Sequence, residues 1–226
     1  MKPLVVRSLF ISSLLVASIS SSSAATAVIA ASDQGWYDAT DLSWVANPNY
    51  AVGKYDDVEQ RSWFVFTLPA VAPGEGFTAA TLLIDLPSGG YQSTQPTETF
   101  TLYSVTTSAG VLGLRGTQAG VFSDLGTGTV YGQTVVQPSG QGTTIQLTLS
   151  AQALTDMTAA GGGTFVIGGA ATSLVPANHD EAIFGFSSNG GGVSLSYTTG
   201  AVPEPGAVAL LGCFGAAALL RKRRHS

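Results

Sequence analysis

The stretch Arg61–Leu68, RSWFVFTL, is apolar on both of its faces, and it limits the fold more than any other feature of the chain. Trp63 and Val65 alternate against Phe64, Phe66 and Leu68. A strand that faces water on one side carries an apolar residue at every second position. One that is apolar throughout needs cover on both sides, so the run predicts a central strand. Other short runs share the β character: Thr78–Leu86, Thr99–Val105, Thr143–Leu149, Thr164–Ile167, Ala182–Ser187 and Val193–Thr198. In Thr143–Leu149 the alternation places Ile145, Leu147 and Leu149 inward, with Thr144, Gln146 and Thr148 outward. Pro73-Gly74-Glu75-Gly76 forms a turn, which predicts Thr78–Leu86 as the neighbour of Arg61–Leu68. Glycine punctuation at Ser88-Gly89-Gly90, Gly126-Thr127-Gly128 and Gly190-Gly191-Gly192 separates the other strands, the second as a hairpin turn.

One segment breaks the pattern. Ser150–Ala160 is rich in helix formers, starts on a capping serine and meets Gly161 at its end, which predicts a single short helix. Many short strands between Gly and Pro turns, with no fixed repeat, predict an all-β fold. We expect an antiparallel, jelly-roll-like β-sandwich of about eight to ten strands over residues 28–200.

Charge is sparse and unevenly placed. Charged residues are 10% of the chain, against about 25% in an average soluble domain. Between Val28 and Gly200 there are three cations, Lys54, Arg61 and Arg115, and thirteen of the fourteen acids, a balance of about −10. Such a body repels phosphate backbones, so no nucleic-acid partner is expected. The only cysteine, Cys213, lies outside this region, so the body has no internal disulfide.

Both ends of the chain read as addresses. Lys2 and Arg7 precede a short apolar run at Leu9–Ile19, and Ala25-Thr26-Ala27 fits a cleavage pattern of small residues. Residues 1–27 are therefore expected to be a secretory signal helix cut after Ala27 or after Ala25. At the other end, Ala207–Leu220 is uncharged and apolar, and Arg221, Lys222, Arg223 and Arg224 stop it. A helix from Pro205 to Leu220 would be about 24 Å long at 1.5 Å per residue. A bilayer core is roughly 30 Å thick, so residues 201–226 contain a minimal transmembrane helix that needs its basic flank to reach the interface. Basic residues stay on the cytoplasmic side, which puts the body outside.

The triplet Pro203, Glu204, Pro205, the short apolar helix and the terminal basic cluster together resemble the PEP-CTERM sorting signal. Tails of this kind also go under an ice-binding-protein C-terminal label. The resemblance implies a Gram-negative exporter in which the Sec translocon and then an exosortase act on the chain. The exosortase would cut at the Pro203–Pro205 region, and exopolysaccharide is an implied partner. The body also resembles an ectodomain common among PEP-CTERM proteins. That likeness rests on Arg61–Phe66, on Ala79–Leu86 with Pro87 and Gly89-Gly90-Tyr91, on Leu102–Thr107, and on Phe122–Gly126 with Tyr131-Gly132. It implies a β-sandwich at the cell surface and no particular activity.

Residues able to carry chemistry are few. His179 is the only body histidine, which excludes multi-histidine zinc sites, and it is expected to be a solvated loop residue. No G-x-S-x-G elbow is present, and no catalytic residue is assigned. Asp56, Asp57 and Glu59 form an acidic loop that offers oxygens to a hard cation such as Ca²⁺, or else pairs with Lys54 and Arg61. Trp36, Trp44 and Tyr50 fall in an aromatic-rich stretch and are candidates for stacking on sugar rings if they line a surface, whereas Trp63 belongs to the core. No regular threonine array recurs, so ice binding is not expected. The expectation is a non-enzymatic, exported surface protein with a structural or adhesive role beside exopolysaccharide. A carbohydrate-binding module or glycan-active enzyme is the alternative.

Overall fold

A computed structural model describes residues 24–44, 49–185 and 192–202 of the chain. The terminal helices expected at residues 1–27 and 201–226 lie almost wholly outside them. The described backbone is mostly antiparallel β-structure. In chain order the strands are β1 (Ala25–Ala30), β2 (Asp33–Asp38), β3 (Leu42–Ser43), β4 (Ala51–Tyr55), β5 (Val58–Thr67), β6 (Glu75–Leu86) and β7 (Tyr91–Ser93). They continue as β8 (Glu98–Ser104), β9 (Gly116–Thr117), β10 (Val130–Val136), β11 (Thr143–Thr148), β12 (Thr164–Ala171), β13 (Glu181–Phe184) and β14 (Val193–Ala201). Three helices interrupt them: α1 (Ala109–Leu114), α2 (Val121–Asp124) and α3 (Ala151–Ala159).

A small sheet has the order β1-β14-β6-β11, and a larger one runs β10-β8-β12-β5-β4-β13-β7 with β2 also paired to β5. Register explains how the small sheet builds its inner face. Ile29, Leu195, Leu82 and Leu147 lie opposite one another across its four strands. They share one core with Phe64, Phe66, Phe100 and Leu102 of the large sheet. The sheets curl toward each other at one side, where the Ser150 N–H donates to the Tyr131 carbonyl at 2.6 Å. A Cβ on Gly132 would lie 2.8 Å from the Thr148 carbonyl oxygen, so only glycine lets β10 come this close to β11.

Strand β5 is covered on both faces, as its sequence requires. Phe64 and Phe66 enter the shared core, while Trp63 and Val65 join Tyr37, Leu112, Val121 and Leu125 in a second cluster. The chain between β8 and β10, which carries α1 and α2, supplies that outer cover. Gly35 stands opposite Trp63 in β2, and a Cβ there would fall 2.8 Å from the indole. The missing side chain makes the space that the tryptophan fills.

Three expectations need correction. β6 does not pair with β5; it lies in the other sheet, between β14 and β11. Its burial alternates, with Ala80, Leu82, Ile84 and Leu86 buried, as suits a layer open on one side. Among the described residues there are also three α-helices rather than one. α3 matches the predicted segment and its cap, with Ser150 Oγ accepting from the Ala153 N–H at 3.4 Å. α1 contains Gly110 and Gly113, and α2 has only four residues, so neither carries a propensity signal. Lastly, Gly126-Thr127-Gly128 leads out of α2 into β10 and does not close a hairpin.

Candidate functional site

The residues expected to direct sorting, Pro203, Glu204, Pro205, Arg221, Lys222, Arg223 and Arg224, lie outside the described residues. The chain leading to them is fixed. The Val202 N–H donates to the Gly74 carbonyl at 3.0 Å, just beyond the end of β14. Beside it is an open apolar cleft of about 570 Å³, lined in part by Phe77, Leu154, Thr158 and Val202. The two small residues of the expected signal cleavage, Ala25 and Ala27, are both part of β1. A cut after Ala27 would remove half of that strand, whereas a cut after Ala25 would leave all but its first residue.

Asp56 and Asp57 are the two central residues of the tight turn that joins β4 to β5, where Tyr55 pairs with Val58. Both have left-handed backbones, with φ of 47° and 65°, as a two-residue hairpin of this twist demands. Asp57 Oδ2 lies 2.6 Å from His179 Nδ1, and Glu59 Oε1 accepts from Arg61 Nε at 3.0 Å. The Asp56 N–H donates to Asp180 Oδ1 at 3.0 Å. Two of the three candidate cation ligands thus face side chains of their own neighbourhood. Among the described residues no three His, Cys, Asp or Glu side chains gather as a metal-binding group. His179 lies on the surface as expected, with Asp57 beside it.

All three body cations serve the fold. The Lys54 ammonium donates to the carbonyls of Val175, Pro176 and Asn178, at 3.2, 3.2 and 2.8 Å, and so ties β4 to the loop before β13. Arg61 reaches the Phe122 carbonyl at 3.1 Å with its guanidinium 4.1 Å above the Phe122 ring, which fastens α2 to β5. Arg115 bridges Asp33 and the Gln34 carbonyl, at 3.1 Å each, and fastens α1 to β2.

The aromatic candidates separate by burial. Tyr50 is 1% exposed, meets Phe64 and Phe184 edge-on and donates its hydroxyl to the Asp85 carbonyl at 2.8 Å. Trp36 is buried as well. Neither presents an open ring face to a sugar, Tyr50 because it sits in the shared core and Trp36 because it is buried. Trp44, at 63% exposure, is the one candidate with a free face. Trp63 is fully buried as expected, although its indole N–H has no hydrogen-bond partner.

A polar cleft of about 450 Å³ opens where the chain leaves β8 and crosses the start of β12. Its walls include Ser104, Thr107, Ser108, Tyr131, Asp156 and Thr164. The Tyr131 ring stacks on Phe165, and its hydroxyl donates to Asp156 Oδ2 at 2.6 Å. Burial pushes the Tyr131 hydroxyl pKa up, and the bond to Asp156 and its negative charge push it further. Asp156 also accepts from Gln152 Nε2 at 2.9 Å. One wall is braced by Asp124, which accepts from the N–H and hydroxyl groups of both Thr106 and Thr107. Burial alone would raise the Asp124 pKa, but the bonds from Thr107 and Thr106 outweigh it and hold it below the usual carboxylate value. A carboxylate among hydroxyls in an open cleft can exchange hydrogen bonds with a polyol or a sugar.

Sequence reasoning did not find two fully buried acids, Glu98 and Glu181. Glu98 accepts from the hydroxyls of Ser93 and Ser173. Glu181 accepts from the Val175 N–H at 2.6 Å and Asn178 Nδ2 at 2.7 Å. Each opens a strand after a polar loop, where an acid looks solvated, and the Ser173 partner of Glu98 lies far along the chain. Compared with known proteins, the chain matches no family model and no curated relative.

Proposed function

We propose that this is an exported surface protein, delivered by its two terminal segments, whose β-domain has a structural or adhesive role beside exopolysaccharide. The observation that carries this reading is where the two ends of the domain lie. Ala25 opens β1 directly opposite Thr199, near the close of β14. The expected signal and the expected sorting tail therefore leave from one end of one sheet. With both ends on one side, a membrane segment at either terminus would hold the domain by the same face and leave the rest of the body clear of the bilayer.

The tail reading follows from the residues. The PEP-CTERM-like triplet Pro203–Pro205 is one residue beyond the docked Val202, and an exosortase would cut there. We read the two curled sheets around their shared core as a jelly-roll-like sandwich. Internal use of all three body cations supports a packed structural module whose outer charge is acidic. Deleting Arg221–Arg224 tests the delivery: the variant is expected to keep its tail and stay with the cell, and processing like that of the wild type would count against it.

The hydroxyl-lined cleft at Tyr131 and Asp156 favours a second reading, a carbohydrate-binding module. Glycan-array retention, with and without calcium, separates the two. Retention that Asp156→Ala abolishes supports binding at the cleft, and no retention on any polysaccharide supports the structural role.

A further inference from the structure

We infer that β1 is a pairing edge through which two copies of this chain join, β1 running antiparallel to β1 of the second copy. A strand at the edge of a sheet presents a row of unpaired N–H and C=O groups, and proteins blunt such edges with charge, proline, bulges or a covering element. Among the described residues β1 has none of these. Its sequence is ATAVIA, its register with β14 is unbroken over six residues, and Val28 is 60% exposed. Among the described residues, the other edges of the small and large sheets are protected. β11 and β10 curl against each other, β7 has three residues, and β2 carries Asp33 and Asp38 with Arg115 bound over its start.

Charge selects the same surface. Two copies of an acidic body repel each other over most orientations. The small sheet is the exception: its four strands carry only Glu75 and Asp85, toward the two ends of β6. Asp85 is already occupied by the Thr144 hydroxyl and the Gly192 N–H, at 2.7 and 2.8 Å. Along β1 the outward side chains are Thr26, Val28 and Ala30, small enough for a second strand to lie flat alongside. Joining two copies would turn the four-stranded sheet into one of eight. A two-fold axis closes the assembly, because β11, the opposite edge, is covered.

The pairing has a directional consequence, and this part rests on the proposed membrane delivery. Antiparallel strands place the two Ala25 ends, and the adjoining β14 ends, at opposite extremes of the joined sheet. Two copies held in one membrane point the same way and cannot pair in this manner. Pairing then belongs to released protein, or to copies on two facing cells.

A single cysteine tests the inference, because the processed chain without its tail has none. Exported Val28→Cys protein is expected to form disulfide dimers on mild oxidation, while Leu114→Cys, at a site 68% exposed, stays monomeric. In the exported wild type, amide exchange in Ala27–Ala30 should slow as protein concentration rises, and Val28→Lys should weaken dimerisation by roughly tenfold or more. Sedimentation as a monomer at every concentration, or equal cross-linking at both cysteines, would overturn the pairing. If Val28→Lys does not fold, the exchange and cross-linking results still decide. Abundant Val28→Cys dimers within vesicles carrying uncut tails would contradict the membrane arrangement and leave the edge pairing standing.

Discussion

Asp124 shows how a single side chain holds an irregular segment here. It takes four hydrogen bonds from Thr106 and Thr107, and with them fixes the chain that departs from β8 toward α1. Hydrogen bonds to a charged group contribute about 1.5–3 kcal/mol each at most, and they are not additive. Asp124→Ala is expected to cost about 2–3 kcal/mol of stability, read by urea denaturation, with an unchanged midpoint counting against this role. The sign with pH follows from the lowered carboxyl. Its contribution is complete above the ordinary carboxylate range, about 4, and is lost as pH falls through the lower folded value. The variant should therefore lose stability less steeply in acid than the wild type.

Tyr50 and Tyr131 work in the opposite direction. Burial is the largest cause of the rise in both hydroxyls, reinforced by Asp85 near Tyr50 and by Asp156 beside Tyr131. Their contribution is complete below the ordinary tyrosine value of about 10 and is lost as pH climbs through the folded values. Spectrophotometric titration should show these two ionising only as the fold opens; ionisation near 10 in the folded protein would contradict their burial. None of this was legible in the sequence. A run such as NPNY, or an acid after a loop, does not say which distant group will cover it.

At the scale of elements, the sequence reported what its periodicity encodes. β5 was readable because both of its faces are apolar, and α3 because a capping serine precedes helix formers. Trp63→Ala removes the largest side chain of the outer cluster and is expected to cost about 3–5 kcal/mol. Ser150→Ala removes one cap and is expected to cost about 1 kcal/mol. Thermal or denaturant unfolding that reversed this order would contradict the placement of β5 between two apolar layers. Sheet membership was less legible. The turn after β5 is as compatible with crossing the core as with returning alongside, and β6 crosses because both sides of β5 are taken by β12, β4 and β2. α1 and α2 were hidden by glycines and shortness. They are held mainly from outside, by Arg115 and Arg61 and by the Asp41 carboxylate that accepts from the Gly120 and Phe122 N–H groups.

For the whole molecule, the proposed division into terminal addresses and a folded body ties the other features together. The body has few cations and uses them internally, its best-placed aromatic candidates are interior, and its two ends lie side by side. The metal and sugar candidates chosen by residue type alone proved the least informative, since Asp57 and Tyr50 are each occupied by a neighbour that only folding brings near, Glu59 pairs with the adjacent Arg61 as its sequence allowed, and Trp36 is buried. The most direct test of the account is the intact mass of the protein recovered from outside the cells that make it. The account predicts a chain that starts near Thr26 and ends in the Pro203–Pro205 region. A full-length chain retained inside the cell, with both terminal segments present, would contradict it.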